Sequence, residues 1–354
     1  MNNLPFVTLV MPVRNEGVFI ERSLASVLAQ DYPPHLTEII VVDGMSDDNT
    51  RDVISSVRER HQSLKMIDNP GRIVPTGLNA ALGKAKGEIV IRVDGHCEIA
   101  PDYVSRCVQH LIHDGVDGVG GPIETIGETL CARAIALAMA RPFGVGGSAF
   151  RTVKDRAFFA DTIPFAAYTR QAIERAGFFD EELVRNQDDE YNYRLRKLGG
   201  RLLLSPDLRS RYYSRSSLTS LWRQHFQYGY WKVRVMQKHP RQGSPRQLVP
   251  PLFVGALLAL LLIMPFSSVG KWIFGLTAGS YTLASLVASI SATRNANWRL
   301  LPLLPATFAT LHLAYGFGFL VGLAKFWNRW GDQESKIAGY ESSKESGTIG
   351  FENI

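Results

Sequence analysis

Cysteine is scarce. Three occur in 354 residues, Cys97, Cys107 and Cys131, and their spacing matches no metal-ligand pattern. An odd, sparse set excludes a disulfide framework and points to a reducing compartment. Residues 1–13 lack a basic region, a long apolar core and a cleavage site, so they read as leading into a first buried strand and not as a signal peptide. Charge is missing altogether from three stretches, 248–270, 272–293 and 300–324, which hold no Asp, Glu, Lys or Arg. Uncharged runs of about 20 residues or more are long enough to cross a membrane as helices. The first run contains Pro250, Pro251 and Pro265, so it is expected to start late or to bend. Acids are scarce just upstream: from Tyr191 to Gln247, thirteen Lys or Arg stand against one acid, Asp207. That basic block is expected on the cytoplasmic side by the positive-inside rule. Arg294 and Arg299 then fall on the same side, Lys271 in a short external hairpin, and the tail 325–354 outside. The length allows about two domains, and the net charge of +6 leaves an anionic partner open.

What the first 130 residues do contain is alternation. Short apolar runs at 6–11, 38–43, 64–68 and 88–93 read as strands, and 18–29, 48–60 and 75–84 carry helix periodicity or capping signals. Strands alternating with helices imply a mostly parallel sheet covered on both faces. Ligands of such sheets bind beyond the C-terminal strand ends. The polar clusters lie there: Pro12-Val13-Arg14-Asn15-Glu16 after the first strand, Asp43 to Thr50 after the second, and Asp94-Gly95-His96 after the fourth. Asn15, Glu16 and Ser46 to Asp48 can equally cap the following helices. Asp48 and Thr50 serve a cap or a ligand equally well, whereas Asp43 precedes its loop and favours a functional role.

The segment Ile91-Arg92-Val93-Asp94-Gly95-His96 is the most informative of these. Side chains two apart at a strand end share a face. One carboxylate and one imidazole on one face can hold a divalent cation and the phosphate it carries.

These residues together resemble family 2 glycosyltransferases of the GT-A fold. The likeness runs through the three strand-end clusters, Gly77-Leu78-Asn79, Ala85 and Gly87-Glu88. It continues in Gly177-Phe178-Phe179-Asp180 and in Asn186-Gln187-Asp188-Asp189-Glu190-Tyr191, and covers about residues 6–240. Within the family it is most similar to the branch that builds bacterial exopolysaccharides of the succinoglycan type. The resemblance implies an α/β, Rossmann-like, mostly parallel sheet with helices on both faces (residues 1–215), followed by an interfacial segment (216–247), three transmembrane helices (248–325) and a polar, disordered tail (326–354). It implies nucleotide-sugar contacts at Pro12, Glu16, Asp43, Arg72 and Asp94, with a metal on Asp94 and His96. Arg72 can also be an ordinary solvated loop residue. A histidine in place of the family's usual acid suits Mn²⁺ better than Mg²⁺. Asp188 aligns with the family's general base, with Glu190 as supporting acid and Asp189 as the alternative if the register shifts by one. A carboxylate facing the acceptor hydroxyl opposite the leaving diphosphate gives inversion, and no residue offers a nucleophile for retention.

Two further segments are ambiguous from sequence. Gly144 to Arg151 reads as a mobile lid or a plain Gly-rich connection, and 132–140 as a core helix or a membrane-surface one. In 218–236, Trp222, Phe226, Tyr228, Tyr230 and Trp231 alternate with Arg223, Lys232 and Arg234. Mixed aromatics and cations ahead of a membrane run mark an interfacial helix, and a nucleic-acid surface is the weaker reading. Gln227, Trp231 and Lys232 are assigned to the acceptor or diphosphate side. The expected activity is transfer of a hexose such as glucose from a UDP-sugar to a polyprenyl-diphosphate-linked saccharide at the cytoplasmic face of the inner membrane. The rivals are a polyprenyl-phosphate glycosyltransferase, a processive synthase and a catalytically impaired membrane scaffold.

Overall fold

The first strand, β1 (Val7–Val13), is buried over almost its whole length, as a central parallel strand covered on both faces must be. It pairs in parallel with β2 (Thr37–Asp43) on one side and β4 (Ile89–Arg92) on the other, and β3 (Leu64–Asp68) pairs in parallel with β2. The helices between them are α1 (Ile20–Leu28), α2 (Thr50–Arg60) and α3 (Val74–Leu82). Ile20, Leu24 and Val27 of α1 are buried, the i, i+4, i+7 stripe of a helix lying on a sheet. The computed structural model describes residues 4–153, 155–294 and 296–331. From residue 332 onward, the expected tail lies outside the described residues.

The sheet continues beyond β4 to eight strands. Ala167–Thr169 runs antiparallel between β4 and Gly118–Gly120; Leu202–Leu204 then adds in parallel and Phe158–Phe159 antiparallel. The register aligns Val13 with Asp43 and Asp43 with Asp68, so the polar clusters after β1 and β2 leave one edge of the sheet together. Two compact units divide the chain. Among described residues, one comprises 4–124 and 153–212 and the other 125–152 and 213–331.

The second unit is helical. Leu130–Met139 is a core helix: Ile135, Ala138 and Met139 pack with Leu221, Leu304, Phe308 and Leu311. The Gly-rich connection is short helix on both sides, Pro142–Val145 and Ala149–Thr152, joined through Gly146 and Gly147 at positive φ. Three helices, Pro245–Ile263, Ser268–Thr293 and Leu304–Lys325, are long and apolar enough to cross a membrane. The first begins earlier than its prolines suggest. Ser244 and Gln247 form a capping box, and Pro245 fills the first turn, where no N–H is needed. Pro250 and Pro251 sit inside the helix and forgo the bonds to the carbonyls of Arg246 and Gln247. The helix stops at Ile263, ahead of Pro265.

The third apolar helix differs from the other two. It is much more buried within the protein than they are. Its partner is the helix Leu218–Lys238, and glycines set the approach. A Cβ on Gly318 would sit 1.9 Å from the Phe226 carbonyl oxygen. Small residues admit such backbone contact between helices. Gly318→Ala is therefore expected to destabilise the purified protein in detergent by about 1–3 kcal/mol, read as a lowered Tm. Gly279→Ala, where a Cβ would meet nothing within 4 Å, is the control. There the gain in helix propensity should hold or raise Tm. Equal behaviour of the two variants would show that the helices are not in backbone contact.

Candidate active site

Two loops at the sheet edge, after β1 and β2, brace each other. The Asn15 backbone N–H donates to Ser46 Oγ (2.9 Å), the Asp47 N–H donates to Asn15 Oδ1 (3.0 Å), and the Gly17 N–H donates to Asp48 Oδ2 (3.0 Å). Asn15, Met45 and Arg72 each take a left-handed backbone conformation, an uncommon state for non-glycine residues that concentrates at functional sites. Asp48 Oδ1 also accepts from the Thr50 N–H at 3.0 Å, at the start of α2. Asp48 thus joins loop bracing to the start of α2, whereas the N-cap residues themselves, Phe19 of α1 and Asn49 of α2, make no side-chain cap bond.

Asp43 has no exposed surface. Its oxygens accept from Ser46 Oγ (2.5 Å), the Ser46 N–H (3.1 Å) and Arg51 (2.5 Å). Arg51 reaches on to Asp68 at 2.8 Å. Asp43 therefore fixes the shape of its loop in this structure, and Ser46 and Arg51 are the more accessible groups beside it. Pro12 is half-buried at the end of β1, and Arg72 is exposed in the loop after β3, its carbonyl accepting from Arg14 (3.4 Å).

Asp94 and His96 lie in the turn between Ile89–Arg92 and Cys97–Ile99, past the strand end, and each has a partner. Arg92 Nε donates to Asp94 Oδ1 at 2.8 Å. His96 Nδ1 lies 2.8 Å from Glu16 Oε1, and its ring packs edge-on against Tyr212 with centroids 4.9 Å apart. Glu16 thus engages His96. Gly95 makes this possible, because a Cβ there would sit 2.8 Å from Val13 Cγ1 and 3.0 Å from Glu16 Cγ. With Nδ1 donating to Glu16, the His96 lone pair lies on Nε2, the arrangement in which histidine ligates a metal. Among the described residues no three His, Cys, Asp or Glu side chains gather into a cage. Asp94 and His96 are the residues here that could hold a cation, with the rest of its coordination left to water or to a ligand's oxygens.

The helix Gln187–Lys197 brings the carboxylate opposite. It starts from Asn186 in a left-handed conformation, with acids in its first turn and bases in its last, as the helix dipole favours. Asp188 reaches the Asp94 corner through Arg92, whose Nη1 donates to Asp188 Oδ1. Although 42 % of the Asp188 side chain is exposed, it is crowded by protein. Desolvation pushes its carboxyl above the ordinary value against the pull of Arg92, and the like charges of Asp94 and Asp189 push it the same way.

The sequence profile described as Glycosyl transferase family 2 matches residues 8–177. The succinoglycan biosynthesis protein ExoA of Rhizobium meliloti (strain 1021) is 30 % identical over 327 residues, 91 % of this chain and 96 % of that protein. The chain belongs to glycosyl transferase family 2. A second relative, the dolichyl N-acetyl-alpha-D-glucosaminyl phosphate 3-beta-D-2,3-diacetamido-2,3-dideoxy-beta-D-glucuronosyltransferase of Methanococcus voltae, is 28 % identical over 328 residues, 90 % of this chain and 98 % of that one. Among solved structures, the mannosyltransferase PcManGT from Pyrobaculum calidifontis, in complex with GDP-Man and Mn²⁺, aligns with a TM-score of 0.57 at 21 % identity. It covers 92 % of this chain and 88 % of its own. The fold is GT-A.

In this family 2 chain Glu190 stands apart from the site. Arg194 holds both its oxygens, at 2.9 and 3.0 Å, and both side chains are wholly buried. Arg194 also donates to the carbonyls of Ala176 and Phe178. The supporting acid expected at Glu190 is instead half of a structural ion pair that ties the helix to the Gly177-Phe178-Phe179-Asp180 turn. Asn79 secures the same turn. Its Oδ1 accepts from the Phe179 N–H (2.8 Å) and its Nδ2 donates to the Phe179 carbonyl (2.9 Å). Asp189 follows Asp188 in the first helical turn, but Asp188 is the one in contact with Arg92.

The three residues expected on the acceptor side lie in the second unit. Trp231 packs its ring near Tyr230 and Phe326, at centroid distances of 5.3 and 5.8 Å, and Lys232 is buried. Trp231 serves helix packing in this structure, because the aromatic face meets the third apolar helix and its C-cap, Phe326. Gln227 is exposed. Arg92, Arg51 and Tyr212 are the residues that sequence reasoning missed. Arg92 did leave a signal, as the single charge at the end of the otherwise apolar strand Ile89–Arg92.

Proposed function

We propose that this glycosyltransferase is inverting and metal-dependent, and moves one hexose from a UDP-sugar to a polyprenyl-diphosphate-linked saccharide at the cytoplasmic face of a membrane. The observation that carries the reading is the contact chain Asp94–Arg92–Asp188, which joins a diphosphate-binding corner to one candidate base. Asp94 and His96 would hold the divalent cation, Mn²⁺ in preference to Mg²⁺, and the cation supplies charge neutralisation for the leaving diphosphate. Asp188 takes the proton of the acceptor hydroxyl. The hydroxyl oxygen bonds the anomeric carbon as the bond to the diphosphate breaks, and the configuration inverts. Asp43, Ser46 and Arg51 shape the pocket floor for the nucleoside, with Pro12 and Arg72 at its rim.

The three apolar helices support a multi-pass membrane protein. The basic run before Pro245 supports a cytoplasmic catalytic unit. The archaeal relative, named for transfer to a dolichyl-phosphate-linked sugar, supports a lipid-linked acceptor.

Membranes carrying the chain, incubated with labelled UDP-sugars, GDP-mannose and lipid-linked acceptors, should yield a product grown by one sugar on mass analysis. A ladder would indicate a processive synthase, a product on polyprenyl phosphate itself the rival acceptor, and no product a scaffold. His96→Ala should weaken Mn²⁺-dependent UDP binding roughly tenfold or more in calorimetry, with little change in EDTA. Unchanged binding in Mn²⁺ would return His96 to a purely structural role beside Glu16 and Tyr212.

A further inference from the structure

Arg92 belongs to neither functional group so far described, yet it touches both. Its backbone is fixed in the sheet, with its N–H donating to the Ala166 carbonyl at 3.0 Å and with Ile91 and Val93 wholly buried on either side. Its side chain is 13 % exposed, so it lies beneath the two carboxylates it serves. Nε holds Asp94 Oδ1 at 2.8 Å and Nη1 holds Asp188 Oδ1. Among the described residues no other side chain hydrogen-bonds to Asp188.

We propose that Arg92 is the positioning residue that sets the base against the donor corner. The inference rests on the reading of Asp188 as base. With Oδ1 held, Oδ2 is the oxygen left for the acceptor hydroxyl. The hydroxyl proton passes to Oδ2, the oxygen's electron pair forms the bond to the anomeric carbon, and the pair of the breaking bond leaves on the diphosphate. Arg92 neither gains nor loses a proton. One guanidinium divided between two carboxylates silences Asp188 less than an arginine of its own would. The planar fork matters, because two different nitrogens bond two carboxylates at once, which the single ammonium of a lysine does not reproduce.

The test uses the full-length protein with the donor that the panel above returns. Arg92→Gln should lower kcat by about 100-fold or more and move the acid limb of its pH profile up by about one unit, because Asp188 loses its cation while Asp94 and Asp189 remain. Arg92→Lys should return most of the limb but only part of the rate. If Arg92→Gln does not fold, the Lys variant alone still compares limb with rate. A kcat within about threefold of the parent overturns the proposal, and so does a lost rate with an unmoved limb in a folded variant. Full activity in Asp188→Asn sinks the base reading itself. An inactive Asp188→Asn beside a fully active Arg92→Gln sinks only the role of Arg92.

Discussion

Asp188→Asn should cost roughly 10³-fold or more in kcat while donor KM stays within about threefold. Asparagine keeps the shape and a hydrogen-bond acceptor for Arg92 but cannot take up the acceptor proton at neutral pH. The parent enzyme should show the matching pH profile. Burial raises the Asp188 carboxyl above its ordinary value, so the active carboxylate form is lost as pH falls through that raised pKa. Activity should thus decline on the acid side at a higher pH than a solvated aspartate would give, and Asp188→Asn should lack that limb in whatever rate remains. Asp189→Asn is the comparison. It removes a like charge next to Asp188 and should retain most of kcat. A reversal, with Asp189→Asn inactive and Asp188→Asn active, would shift the base by one residue. The measurement is initial transfer rate against pH for the three proteins at saturating donor.

The second large effect is on stability. Glu190→Ala should destabilise the protein by about 3–5 kcal/mol, because it strands the wholly buried Arg194 charge without its carboxylate. Thermal or denaturant unfolding in detergent reads this directly. Whatever fraction stays folded should turn over with a near-parental KM, since both Glu190 oxygens are held by Arg194. A Glu190→Ala protein of parental stability but with kcat reduced would restore the supporting-acid role. Asp188→Asn, by contrast, should change Tm little, because asparagine keeps an acceptor for Arg92 and removes a carboxylate whose charge desolvation disfavours. The two acids, two residues apart on one helix, are thus separable by one assay each.

The outcome for these acids shows what was legible in the sequence. Strands β1, β2 and β4 were readable because a strand buried on both faces is a continuous apolar run. The expected 64–68 coincides with Leu64–Asp68 although only Leu64 of that edge strand is buried. The strands beyond β4 were not readable. Ala167–Thr169, Gly118–Gly120 and Phe158–Phe159 are two or three residues long, too short to display a period. At the site, Asp94-Gly95-His96 was legible as a polar cluster after an apolar run, but it folds as a turn between Ile89–Arg92 and Cys97–Ile99, so strand alternation does not set its faces. The fate of Glu190 was not legible, since acids at a helix start suit the dipole whether or not they reach a substrate. The Arg194 four residues on was an available hint, as i, i+4 acid–base pairs face one another. Trp231 was misleading for a related reason. An aromatic stripe has the same spacing whether it faces lipid, acceptor or a neighbouring helix.

The glycine-mediated seam between Leu218–Lys238 and Leu304–Lys325 carries a practical consequence. The natural place to trim such an enzyme for soluble expression is the basic linker ahead of Pro245. That cut would leave the helix Leu218–Lys238 without the surface that buries it, baring Val233 and the rings of Tyr230 and Trp231 to water. A fragment ending there is expected to aggregate. Biochemistry on this chain is better served by detergent or nanodiscs, with all three apolar helices retained.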